Sequence, residues 1–322
     1  MADNQYVYAV ARIRSKELTL LDKQFFEQLL ACKTYKDCLR LLTEKGWGRS
    51  GNETAEQLLV IEREKTWDMI RELVDDISVF NTFLYGNDYH NLKAAIKQAY
   101  RNEDIPDIYI SGGTIAPEVL YKAVKEHDFS GLPEHMQKCA EEAYQVQFHT
   151  GDSQLCDIII DRAALEAIYH TGKSSKNELL AEYAELKVAA SDINIAVRSC
   201  KTGKRKEFLE RALAACESLD TGKLMEAALS GEEGIHDYLA NTAYSDAVQA
   251  IEESPSAFER WCDNLIMKHI RSQKYNPFTL SPLAAYILAR ENEMKSVRIL
   301  LSGKLNDIPE NSIRERLREM YV

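Results

Sequence analysis

Apolar residues that return every three or four positions constrain this chain most, because that period gathers them on one face of a helix and scatters them over both faces of a strand. The period is plain in Leu179, Tyr183, Leu186, Ala190, Ile193 and Val197, and again in Leu283, Ile287, Val297 and Leu301 around the charged stretch Arg290 to Lys295. It predicts long amphipathic helices. With only 14 Gly and 7 Pro in 322 residues, the chain also lacks the turn residues that a sheet-rich fold demands. The one strand-like run, Asp107-Ile-Tyr-Ile-Ser111 before Gly112-Gly113, is too short to support a sheet alone. The expected class is all-α, with well over half the chain helical and no βαβ unit.

Helix starts are predicted where a hydroxyl precedes an acid or amide by three residues: Thr54 with Gln57, Ser175 with Glu178, and Ser312 with Glu315. Pro117, Pro255, Pro282 and Pro309 each suit a first helical turn, where the missing N–H costs nothing.

A pattern of Asn/Asp, three residues, Ala/Ser, Ile/Val, Lys/Arg occurs three times. It runs from Asn91 to Lys97, from Asp192 to Arg198 and from Asn292 to Arg298, with the basic residues 101 and 100 positions apart. The last two copies continue into Thr202-Gly-Lys204 and Ser302-Gly-Lys304, where Gly is expected to end a helix and Lys to face the negative end of its dipole. Such a spacing reads either as three related helical lobes or as a pattern that amphipathic helices share by chance.

A net charge of −11 repels phosphate backbones and anionic lipid on average, so nucleic acid is excluded as the main partner. Local basic clusters near Arg12, Arg198 and Arg298 still offer contacts to an acidic partner. The seven cysteines are scattered and lack a C-x-x-C pair, which argues for reduced thiols without disulfide or zinc. Met-Ala-Asp-Asn-Gln carries no basic leader region, and no window approaches the roughly 18 apolar residues of a membrane span, so no direct membrane insertion is expected. The sequon Asn52-Glu-Thr54 is then a chance match.

Reactive constellations are not found. Thr171-Gly-Lys-Ser174 resembles the end of a phosphate-binding loop, but the required upstream glycine is Ala167, inside a helical run. Gly172 therefore reads as a helix cap, and no nucleotide or other cofactor is expected. The histidines at 90, 127, 135, 149, 170, 236 and 269 contain no i, i+4 ligand pair, so no metal is expected. There is no G-x-S-x-G, and Glu141-Glu142, Glu232-Glu233 and Glu252-Glu253 are adjacent carboxylates on solvated faces. The chain reads as a non-enzyme.

The segment from Asn276-Pro-Phe-Thr-Leu-Ser-Pro-Leu through Arg290, Lys295 and Arg298 to Ser-Gly-Lys304 and the following Arg-rich stretch is similar to the C-terminal region of the C-subunit family of V-type ATPases, whose eukaryotic members are called the d subunit. Tyr8-Ala-Val-Ala-Arg12-Ile-Arg14, Thr34-Tyr35 to Trp47 and Asp88-Tyr-His-Asn-Leu-Lys93 support the resemblance, which spans essentially the whole chain. It is weakest over 116–151 and 205–254. The resemblance implies three similar helical lobes arranged pseudo-threefold into a funnel, with bounds near 1–105, 106–205 and 206–322. It implies a non-catalytic central-stalk coupling subunit on the cytoplasmic face of a membrane ATPase complex. There it would link the shaft subunits D and F to the proteolipid ring, for H⁺ or Na⁺ transport or ATP synthesis. Arg12, Arg14, Lys97, Arg198, Arg290 and Arg298 are the expected partner contacts, with intramolecular pairing as the alternative for each. A solenoid scaffold is the rival reading, but its repeats of roughly 34 to 47 residues are much shorter than the spacing seen. An enzyme with an unrecognised site is the third.

Overall fold

The computed structural model describes residues 6–322; Met1–Gln5, which bear on the expected lack of a leader, lie outside the described residues. Helices make up 73% of the chain, and no strand occurs among the described residues. In chain order the α-helices are α1 (Val7–Glu17), α2 (Lys23–Ala31), α3 (Tyr35–Glu44), α4 (Ala55–Leu73), α5 (Asn81–Arg101), α6 (Pro117–Glu126), α7 (Glu134–Thr150) and α8 (Ser153–Ser174). They continue with α9 (Glu178–Lys201), α10 (Lys206–Ala212), α11 (Thr221–Ser230), α12 (Glu232–Ala240), α13 (Ala247–Glu253), α14 (Pro255–Ile270), α15 (Ser281–Leu305) and α16 (Glu310–Arg314). None is long and apolar enough to cross a membrane. The chain divides into two compact units, Met1–Ile77 with Gln249–Val322, and Ser78–Val248.

The first unit is built around α15. Met294, Val297, Leu300 and Leu301 pack against Phe25, Phe26 and Leu29 of α2, Cys38 and Leu42 of α3, Trp47, and Leu58 and Leu59 of α4. Every residue from Ser281 to Arg290 is buried, so α15 is a central helix buried on most sides, where its spacing predicts an amphipathic one. In the second unit, Tyr89, Leu92 and Ile96 of α5 meet Leu120 and Val124 of α6, Met136 and Ala140 of α7, and Ile159 and Ile160 of α8. The strand-like run 107–111 forms no ladder, because the Asn91 side chain takes both backbone groups of Ile110.

Local rules hold where the needed partners are local. Thr54 and Gln57 make a reciprocal capping box at α4, and Pro117, Pro255 and Pro282 occupy first turns. Elsewhere tertiary packing wins. Asn177, not Ser175, caps α9 by accepting from Leu180 N; Ser175 instead closes α8. Pro309 stands just before α16, and Ser312 lies inside that short helix.

Gly203 does cap α9 in the left-handed region, at φ 63°. Gly172 and Gly303 correct the cap reading, since both sit inside helices as points of close approach. A Cβ on Gly172 would come within 2.4 Å of Ala184 Cβ and 2.7 Å of the Leu180 carbonyl, and one on Gly303 within 2.6 Å of the Ile313 side chain. In contrast, Gly86 on the exposed side of α5 has open space around it. Gly172→Ala should therefore destabilise the protein by about 1–3 kcal/mol despite alanine's higher helix propensity, because α8 and α9 must part. Gly86→Ala should stabilise it by about 0.5–1 kcal/mol. Chemical denaturation of both variants reads the two opposite signs.

Candidate functional site

Of the six basic residues singled out by sequence, Arg12, Arg14, Arg290 and Arg298 belong to the first unit and Lys97 and Arg198 to the second. Arg14 turns inward from α1, donating from Nη1 to Glu17 at 2.7 Å and from Nη2 to the Gln273 carbonyl at 2.9 Å. Lys97 of α5 pairs with Asp157 of α8 at 2.7 Å. Arg298 of α15 makes an exposed pair with Glu56 at 3.0 Å. Arg12 and Arg198 are exposed and have no side-chain partner among the described residues.

Arg290 is the most deeply engaged of the six, at 7% exposure. One arm of its guanidinium donates to Glu62 Oε2 at 2.6 Å and the other to Glu293, while Nε reaches Thr66 at 3.3 Å. The Trp47 ring stacks on it with its centroid 5.0 Å away. Glu62 also accepts from Gly48 N at 2.9 Å and Lys65 Nζ at 2.7 Å, and Glu293 from Leu21 N. Burial works against the Arg290 charge, but Glu293 and Glu62 outweigh it and raise its pKa. Burial likewise pushes the Glu293 carboxyl up to about 7. A fork donor stacked on an aromatic face and closed off from solvent is arranged to hold parts of the fold together.

The first residue of each repeat copy does the same work in three places. Asn91, Asp192 and Asn292 are buried on α5, α9 and α15. Asn91 binds Ile110, Asp192 accepts from Ala214 N at 3.1 Å, and Asn292 donates to the Glu319 carbonyl at 2.8 Å. Each pins a downstream segment, 19, 22 and 27 residues further on, across the long helix it comes from. The polar letter at the head of the repeat was the available signal for these pins. Nothing in the sequence singled out Glu62, whose role depends on α4 lying against α15.

For reactive chemistry, the described residues offer no group of three or more His, Cys, Asp or Glu placed to hold a metal ion. Cys139 and Cys156 are buried thiols pushed up to about 12, which makes them poor nucleophiles. The profile of the family described as ATP synthase (C/AC39) subunit matches residues 9–316.

The chain belongs to that family.

Among curated relatives of the C/AC39 family, the C subunit of the V-type sodium ATPase of Enterococcus hirae is 23% identical over 317 residues, covering 96% of this chain and 97% of the relative. The C subunit of the V-type ATP synthase of Thermus thermophilus is 23% identical, covering 98% and 99%. The C subunit of the A-type ATP synthase of Methanocaldococcus jannaschii is 24% identical, covering 97% and 86%. Sharing only about a quarter of its residues with them, this C/AC39 chain is similar to each over nearly its full length.

Two outcomes test the buried polar groups. Arg290→Met removes the cation and leaves Glu62 and Glu293 facing each other in the interior, so it should cost about 3–5 kcal/mol in chemical denaturation. Asp192 is held by burial at about 7, well above an unfolded aspartate, and its Oδ2 has no hydrogen-bond partner among the described residues. A raised acid favours the fold while protonated, so its contribution is full below about pH 4 and fades as pH rises through 7. Thermal unfolding of the wild type should show that decline, and Asp192→Asn, which keeps the acceptor without the charge, should flatten it.

Proposed function

We propose that this chain is the non-catalytic central-stalk coupling subunit of a rotary V/A-type ATPase, joining the shaft subunits D and F to the membrane proteolipid ring. In this reading ATP hydrolysis elsewhere turns the shaft, and this subunit passes torque to a ring that carries H⁺ or Na⁺, or runs in reverse during synthesis. It lies on the cytoplasmic face as a peripheral component. The observation that carries the reading is the family match over residues 9–316, together with relatives named as C subunits over nearly their whole length.

Three lobes of about 1–105, 106–205 and 206–322, arranged pseudo-threefold into a funnel, belong to the same proposal. Its support is the triple use of one device, a long helix with a buried amide or carboxyl pinning the segment that follows. Torque transfer needs a stiff body, and close-packed helices resist deformation. Of the six basic positions, Arg12 and Arg198 retain charge unengaged within the fold, and Arg298 is held only by an exposed pair, so these three suit acidic partners best. Affinity isolation of the tagged chain from membranes, followed by mass spectrometry, tests the assignment. Shaft and proteolipid subunits should travel with it; recovery of the chain alone would sink the reading.

A further inference from the structure

We infer that the turn from Arg198 to Lys206 docks an acidic, solvent-exposed segment of a neighbouring protein, an inference that rests on the assembly reading above. In a chain of net charge −11, this turn concentrates Arg198, Lys201, Lys204, Arg205 and Lys206 within nine positions around the left-handed Gly203. All are exposed except the half-buried Lys204.

The fold makes little use of these charges. Arg198 and Arg205 have no side-chain partner among the described residues. Lys201 approaches Glu232 only to 3.8 Å and Lys206 approaches Glu210 to 3.6 Å, exposed pairs of a kind worth about 0–1 kcal/mol. Lys204 donates to Gln154 at 2.8 Å. The α9 dipole accounts for Arg198 and Lys201, which lie in its last turn. It does not account for Arg205 and Lys206, which stand at the start of α10, where positive charge is unfavourable.

The corresponding ends of the other repeat helices are built differently. In the last turn of α15, Lys304 turns inward and donates to the carbonyls of Leu30 and Cys32 at 2.6 and 2.7 Å. At the end of α5, Arg101 and the capping Asn102 are followed by the acidic Glu103 and Asp104. Only the α9 end keeps a cationic turn facing outward.

Two unengaged guanidinium forks suit paired carboxylates, and the flanking ammonium groups add attraction at longer range. A flat anionic bilayer fits less well. The turn presents no exposed apolar side chain to insert, since Leu209 is buried and Phe208 is half-buried beneath the Lys204 ammonium. The neighbouring Glu207, Glu210, Glu232 and Glu233 would face the same flat surface and be repelled. A peptide segment with two or three carboxylates touches the turn alone.

The test uses the assembled complex isolated from membranes, treated with a carbodiimide that joins contacting amines and carboxylates without a spacer. Mass spectrometry should find Lys201, Lys204 or Lys206 joined to an Asp or Glu of another subunit. The yield should fall as salt rises from about 0.05 to 0.5 M. R198Q/R205Q, which removes no side-chain hydrogen bond or ion pair among the described residues, should stay assembled and lose that product by about fivefold or more. Products confined to Glu210 and Glu232 of the same chain, in a complex that remains intact, overturn the docking turn and leave the coupling reading standing. Absence of any complex overturns both. If the free chain sediments with vesicles of roughly 30% phosphatidylglycerol in phosphatidylcholine, and R198Q/R205Q abolishes this, the turn belongs to lipid and the peptide assignment is overturned.

Discussion

A guanidinium held between two buried carboxylates ties the two ends of this chain together. Arg290 reaches Glu62 across 228 positions of sequence, and Glu293, three residues on, takes the Leu21 amide. Closing so long a loop costs entropy that grows only slowly with length, while desolvating three charges costs far more. The site offsets that cost by saturating the ions: Gly48 N, Lys65, Thr66 and the Trp47 face supply the remaining partners. The packing of α15 against α4 then has one register, since sliding either helix would strand a charge.

The same economy appears in the long helices α5, α9 and α15. Each has a buried polar side chain near its middle that reaches the backbone of a later, irregular segment. Irregular backbone has amides and carbonyls that no ladder satisfies, and these pins supply partners where water is excluded. Asp192 and Asn292 each keep one buried oxygen without a partner among the described residues, and burial raises the Asp192 pKa. Cores of close-packed helices, tied at such points, suit a part whose proposed task is to carry load between partners.

Much of the fold was legible because helix formation is local. The three-to-four spacing found α9, the Thr54 and Gln57 pair found the start of α4, and Pro117, Pro255 and Pro282 marked first turns. Misreadings came where a residue served two helices at once. Gly172 and Gly303 looked like caps, yet they are small because Ala184 and Ile313 press against them. For Arg290 the sequence left partner contact and internal pairing both open, and α4 brings Glu62 to it. Among the basic positions, exposure and lack of a partner separate Arg12 and Arg198 from Arg14 and Lys97, and no sequence pattern carries that difference.

By itself the sequence determined the class of this protein, since helical periodicity, sparse turn residues and a near-full-length family resemblance are properties of the linear chain. It also determined that the basic letters recur about every hundred positions. Only the tertiary structure decided which of those charges are consumed within the fold and which still face outward. Pairing depends on side chains from helices distant in sequence bringing their charged groups within about 3 Å of one another, a distance at which desolvation and Coulomb attraction nearly balance.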